Sequence, residues 1–336
     1  MIMTKHIDVM KRIAIYLIMA LSPAAMTSCL QDKMDGDMPD DQMVEVVFNV
    51  GMEETMQTRA VIGENPAWEK TLSFGVYRNG TLLPNVAEII QDFGTGTKAT
   101  VKATLAKGLT YDLVFWAQAP GDEYYTVDLN QATVTANYDG DKANDNKRDA
   151  WYTAVKGVSL NNRPEDIMLR RPLAQINVGT TERDYADAKD AGAAVDRTSV
   201  KLAKVPNVLD LLTGTTSGEA EVNFGAEDMP SQTLTVRKGE DDEMEYRYLS
   251  MNYVLVGDGT AVGDKVTLDS YSVSFYAGSK IINTVLVSNV PARRNWRTNI
   301  VSNNMLTGDA TFNVTIEPGF YGEYYGNNGN FEELEY

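Results

Sequence analysis

The sequence predicts a mainly β protein of two tandem β-sandwich domains, with one short helix in the second. Two observations predict it. Apolar and polar residues alternate at period two along most of the chain, which is the spacing of strands with one buried face. Turns rich in Gly and Asn separate these runs where an α/β fold would place helices. The 336 residues are too many for one sandwich and enough for two domains of ordinary size.

In the first strand, Val44, Val46, Phe48 and Val50 share one face, with Glu45, Val47 and Asn49 on the other. Leu72, Phe74 and Val76 alternate in a second run that ends at Arg78-Asn79-Gly80-Thr81. Asn-Gly accepts positive φ at both central positions of a two-residue turn, so a hairpin is expected there. Gly94-Thr95-Gly96-Thr97-Lys98 lacks the spacing of a phosphate loop and reads as another hairpin turn. Tyr111 to Gln118 reads as a buried strand closed by Ala119-Pro120-Gly121-Asp122. The polar stretch 139–149 reads as a mobile loop. Its Asp139, Asp141 and Asp145 miss the Gly and closing Glu of a calcium-binding EF-hand.

The character changes at Arg170-Arg171-Pro172, which puts a domain boundary near Leu169: 44–169 forms the first sandwich and 170–336 the second. A strand is expected over 173–178. An Ala-rich helix follows over 182–194, capped by Thr180 or Thr181 and ending around Gly192. Strands return after Thr198 and include 266–275, 281–287 and 311–316. In the last of these, Phe312, Val314 and Ile316 face one way.

The amino terminus carries a different signal. Lys11 and Arg12 precede an apolar run over 13–25, and Met26-Thr27-Ser28-Cys29 follows at once. The run is shorter than the roughly 20 residues of a spanning helix, so residues 1–28 read as a signal peptide. Cys29 is the only cysteine, and its tetrapeptide resembles a bacterial lipobox with Met26 in place of the usual Leu. That resemblance implies acylation of Cys29 and attachment to the outer membrane, each buried methylene contributing about 0.8 kcal/mol. Residues 29–43 then form an acidic tether, with Asp32, Asp35, Asp37, Asp40 and Asp41 among Gly and Pro.

Composition excludes several functions. Forty-seven acids against 30 bases leave a net charge of −17, which argues against nucleic acid as a partner. The only histidine, His6, lies in or before the signal peptide. The mature chain therefore lacks the imidazole and the free thiol of Ser-His-Asp or Cys-His catalysis and of zinc sites. No carboxylate pair stands out for a glycosidase, and Gly257, Gly259 and Gly263 miss the dinucleotide spacing. No enzyme, cofactor or metal site is expected. Arg293, Arg294 and Arg297 read as local ion-pairing residues at a strand turn.

Several segments together resemble the fimbrillin superfamily of Bacteroidetes, the subunits of type V pili. These are the lipobox at Cys29, the early strand over 44–50 and Thr58-Arg59-Ala60. They continue with Leu169-Arg170-Arg171-Pro172-Leu173-Ala174-Gln175-Ile176, then Val290-Pro291-Ala292-Arg293-Arg294-Asn295-Trp296-Arg297-Thr298-Asn299-Ile300, and finally Leu306-Thr307. The resemblance implies transthyretin-like, Greek-key sandwiches and assembly into a pilus with other subunits. It also implies proteolysis after Arg59, with Ala60 as the new amino terminus, and release of the strand carrying Val44, Val46, Phe48 and Val50. A neighbour's strand would fill the groove, and Phe312, Val314 and Ile316, or the stretch 320–325, are the candidate donors. Plainer readings compete: Arg59 as an ordinary loop arginine, and 44–50 as a permanent edge strand. An alternative function is a surface adhesin or glycan-binding lipoprotein that meets a host protein or glycan. In that case Trp68, Trp116, Trp151 and Trp296 could build a sugar-stacking platform, although Trp116 sits in an apolar run and looks like core.

Overall fold

A computed structural model describes residues 42–53, 68–138, 143–237, 243–256, 266–308, 310–318 and 332–335. The chain divides into a unit ending at Met43 and a unit beginning at Val44, and the architecture below is that of the second. The first ten strands are Met43–Met52 (β1), Thr71–Arg78 (β2), Thr81–Leu82 (β3), Ala87–Gln91 (β4), Lys98–Ala106 (β5), Tyr111–Gln118 (β6), Tyr125–Asp128 (β7), Thr133–Ala136 (β8), Trp151–Val158 (β9) and Asp166–Leu169 (β10). Leu173–Thr180 (β11) leads into the one α-helix among the described residues, Glu182–Asp190 (α1). Arg197–Val205 (β12), Val208–Asp210 (β13), Thr216–Ser217 (β14), Ala220–Asp228 (β15), Thr233–Arg237 (β16) and Glu243–Leu255 (β17) follow. The chain continues through Val266–Ala277 (β18), Lys280–Ala292 (β19), Trp296–Ser302 (β20), Asn313–Pro318 (β21) and Glu332–Glu335 (β22).

Among the described residues the strands form five sheets, ordered β10-β1-β5-β4, β3-β2-β6-β9, β14-β13-β8-β7, β15-β12-β18-β19 and β16-β17-β11-β20-β21-β22. The period-two pattern becomes two-faced burial in the first of these. Val46, Phe48 and Val50 point into the core at 1% exposure or less, while Glu45, Val47 and Asn49 point out. They meet Leu72, Phe74 and Val76 of β2 and Leu113, Phe115 and Ala117 of β6 in one cluster, where Phe74 and Phe115 stack with centroids 4.8 Å apart. The sheets β10-β1-β5-β4 and β3-β2-β6-β9 therefore pack face to face.

The other face of β2, β6 and β9 is also covered. Tyr77, Val114, Trp116 and Tyr152 belong to a second cluster, with β11, β12, β17 and β18. This explains why β6 lacks an exposed side and reads as an almost unbroken apolar run. The sheet β14-β13-β8-β7 pairs Val208 with Thr135 and Leu209 with Val134, joining strands that lie on either side of residue 169.

Asn79 and Gly80 adopt φ of 52° and 78° between β2 and β3, the conformation an Asn-Gly hairpin turn requires. The helix starts where expected, with Thr181 accepting from the Asp184 N–H, but it ends at Asp190, before the expected 194. The reason is local: Ala191 caps the helix, and Gly192 takes φ of 81° and turns the chain away. The stretch expected as a mobile loop has no strand in its described part, 143–149, but its end is held in the core. Residues 139–142 lie outside the described residues, but Arg148 and Asp149 beyond them are 2% and 0% exposed. Arg148 lies over the rings of Tyr124, Tyr138 and Phe224, so its stem and guanidinium fill an aromatic cage.

Candidate functional site

The strand expected to leave is tied in on both sides. β1 lies between β10 and β5, so it is an interior strand and not the edge strand of the competing reading. It runs parallel to β10, with Asn49 opposite Asp166 and Met52 opposite Leu169. The Asn49 N–H donates to the Glu165 carbonyl at 3.0 Å and the Met52 N–H to the Thr97 carbonyl at 3.0 Å. Val46, Phe48, Val50 and Met52 fill its side of the core, all at 2% exposure or less.

The outward residues of β1 carry the polar contacts. Lys102 of β5 reaches Glu45 and Glu88 of β4, each at 3.0 Å. Hydrogen bonds to these two carboxylates raise the lysine's pKa, Glu88 first. Asn49 Nδ2 donates to Asp166 Oδ1 at 3.1 Å. Just past the strand, the Glu53 carboxylate accepts from Asn295 Nδ2 at 2.9 Å and pairs with Arg170 Nε at 3.2 Å. Asn295 reaches it from the turn between β19 and β20 at φ of 60°, a left-handed conformation that asparagine tolerates.

Of the arginines singled out in the sequence, Arg293 has its partner nearby in the chain, whereas Arg171, Arg294 and Arg297 meet residues 20 or more positions away. Arg171 Nε donates to both oxygens of the buried Asp149, at 3.0 and 2.9 Å, and its guanidinium lies over Trp151. Arg294 Nε donates to the Arg171 carbonyl at 3.2 Å, while Arg293 lies 4.1 Å from the Trp296 ring centre. Arg297 Nε donates to Glu317 at 3.0 Å, and both side chains are buried. Lys70 is another buried cation here, its ammonium donating to the Trp68 carbonyl at 3.1 Å. Burial pushes its pKa down, and the charge of Asp149 opposes that shift.

A family model described as a family of unknown function, DUF6562, matches residues 39–334. The chain belongs to this family. Among curated proteins none matches this DUF6562 member. Two solved structures similar to it come from Porphyromonas gingivalis. The tip fimbrial protein Mfa3 is 9% identical, with 88% of this chain and 100% of that one covered and a TM-score of 0.43. The fimbrial anchor protein Mfa2 is 14% identical, with 83% and 97% covered and a TM-score of 0.37.

In this DUF6562 member, Cys29, Arg59 and Ala60 lie outside the described residues. The segment holding Arg59 begins immediately after Glu53 and ends immediately before Trp68. Phe312 is partly buried, and Val314 and Ile316 are fully buried in β21, which lies between β20 and β22. The four tryptophans form no exposed platform. Trp116 is core, as its apolar run suggested, and Trp151 is buried as well, 5.9 Å from the Trp68 ring.

Sequence reasoning missed the partners of Glu53. Arg170 is far along the chain and Asn295 farther still, so no local pattern joins them. It also missed a buried polar row on the six-stranded sheet. There Asn177 Nδ2 donates to Asn299 Oδ1 at 2.8 Å, and Asn299 Nδ2 donates to Glu317 Oε1 at 3.1 Å. Read singly, these amides resemble ordinary polar positions of an alternating strand.

Proposed function

We propose that the chain is a surface lipoprotein that serves as a structural subunit of a fimbria, assembled by exchanging β1 for a strand of a neighbouring subunit. It has no catalytic role. Until β1 is exchanged, acylated Cys29 holds it at the outer membrane, and the acidic residues after it form the tether. The observation that carries this reading is the position of β1. It is an interior strand with four buried side chains, joined to the rest of the fold through the segment that contains Arg59.

A cut after Arg59 leaves Ala60 as the new amino terminus and removes the covalent tie between β1 and β2. Departure of β1 then opens a slot with two unpaired backbone edges, β10 and β5, above an apolar floor. Such a slot is completed by a strand with apolar side chains at alternate positions. The C-terminal strand of Phe312, Val314 and Ile316 has this alternation and is the proposed donor. It is interior in its own sheet, so it must leave that sheet before it can be donated.

The test starts from protein beginning at Cys29, without lipid, treated with an arginine-specific protease while intact mass and size distribution are followed. A single cut after Arg59, followed by heat-stable multiples of the subunit, is the expected result. Resistance at Arg59, or a cut product that stays monomeric, would refute the reading.

A further inference from the structure

Phe-Asn-Val occurs twice in the chain. Both times it opens the hexapeptide Phe-Asn-Val-x-(Met or Ile)-Glu: Phe48-Asn49-Val50-Gly51-Met52-Glu53, and Phe312-Asn313-Val314-Thr315-Ile316-Glu317. The two copies also end alike in space. After β1, Glu53 is held by Asn295 Nδ2 at 2.9 Å and Arg170 Nε at 3.2 Å. In β21, Glu317 is held by Asn299 Nδ2 at 3.1 Å and Arg297 Nε at 3.0 Å. Each strand buries an apolar row and then closes on a carboxylate gripped by a guanidinium and an asparagine amide, with Glu317 also accepting from the Arg237 N–H at 2.9 Å.

That carboxylate answers a physical problem. A strand of period two can slip by two residues and still bury an apolar row, because the same face stays inward. Backbone pairing does not prevent such a slip. A gripped side chain at one end does, since a slipped strand would set a different residue against Arg170 and Asn295. Asn49, donating to Asp166 at 3.1 Å, marks the same register four residues earlier.

We propose that the slot of β1 reads its occupant for this hexapeptide, with Arg170 and Asn295 recognising the closing glutamate and fixing the register. The occupant is a strand of a neighbouring subunit carrying Phe-Asn-Val-x-(Met or Ile)-Glu, lying parallel to β10 with its Phe in the place of Phe48. This inference rests on the release of β1 proposed above.

The experiment uses the full chain with one specific protease site placed within 54–67, so that opening the slot does not depend on Arg59. After cutting, fluorescent peptides with the sequences of 44–53 and 310–318 are added in excess and their entry is followed by anisotropy. Both are expected to enter. Replacing the closing glutamate by Gln in either peptide should weaken binding about fivefold, the size of a partly exposed ion pair with its hydrogen bond. In an Arg170→Met acceptor that loss should disappear. Simple filling of an apolar groove would not produce this coupling.

If both peptides enter and the Gln versions bind equally well, the reading by Arg170 and Asn295 is wrong while strand release stands. If 44–53 enters and 310–318 does not, the hexapeptide is not the recognition element. If neither displaces the β1 fragment, release itself fails and this inference fails with it.

Discussion

Replacing Phe48 by Ala tests the central feature of the fold, the hold of the core on β1. Phe48 is fully buried, flanked on its strand by Val46 and Val50 at 1% exposure and Met52 at 2%. Each such side chain contributes about 1.5–3 kcal/mol on burial, so the four together contribute about 6–12 kcal/mol. That is comparable with the whole stability of an ordinary domain, about 5–15 kcal/mol. A nicked chain should therefore keep its β1 fragment through size-exclusion chromatography at high dilution, where neighbouring subunits supply no competing strand. Phe48→Ala removes the largest of the four and leaves a cavity, at a cost of about 3–5 kcal/mol. At roughly 1.4 kcal/mol per tenfold, retention of β1 in the nicked chain should fall roughly a hundredfold to a few thousandfold. Urea unfolding of the intact chain and mass spectrometry of the nicked chain would measure the two effects separately. Val47→Ala is the control, because Val47 lies on the same strand but is 53% exposed and should change stability by no more than about 0.5 kcal/mol. Equal effects of the two substitutions, or a Phe48→Ala loss below about 1 kcal/mol, would refute the assignment of β1 to the core.

Two further outcomes are expected. Arg297→Met should destabilise the chain by about 3–5 kcal/mol in urea unfolding, because it strands the buried Glu317 without its charge partner. Replacing both residues by apolar ones of similar volume should cost much less. At alkaline pH the fold should weaken through its buried tyrosines. Burial, with the Asp128 charge behind it, pushes Tyr77 up to about 12, and burial pushes Tyr138 up to about 12 against the Leu255 N–H and Arg148. An unfolded tyrosine loses its proton near pH 10, so the unfolded chain binds fewer protons than the folded one above that pH. The stabilisation is therefore complete below pH 10 and falls between 10 and 12, by about 1.4 kcal/mol per pH unit for each tyrosine. Urea midpoints measured from pH 9 to 11.5 should show this slope, and it should shrink in Tyr77→Phe and Tyr138→Phe variants.

Local information carried much of the strand pattern. Alternation along β1 and β2, the Asn79-Gly80 turn and the helix start at Thr181 depend only on neighbours in sequence, because side-chain direction has period two in a strand and cap chemistry spans three or four residues. The alternating row later placed in the core, Val46, Phe48 and Val50, was legible for the same reason. What could not be read locally is which strands become neighbours. Parallel pairing of Asn49 with Asp166 makes β1 interior, and that pairing closes a loop of more than a hundred residues. The polar stretch 139–149 reads as a mobile loop by composition, yet Asp149 at its end meets Arg171 across a buried seam, where paired charge is retained at the cost of desolvation. The grip on Glu53 likewise joins Glu53, Arg170 and Asn295 from three separate parts of the sequence. By itself the sequence determined which faces of its strands are apolar, because that is a matter of one residue and the next. Only the tertiary structure decided which strand is interior and which carboxylate is held, because those depend on contacts between segments that the chain brings together only by folding.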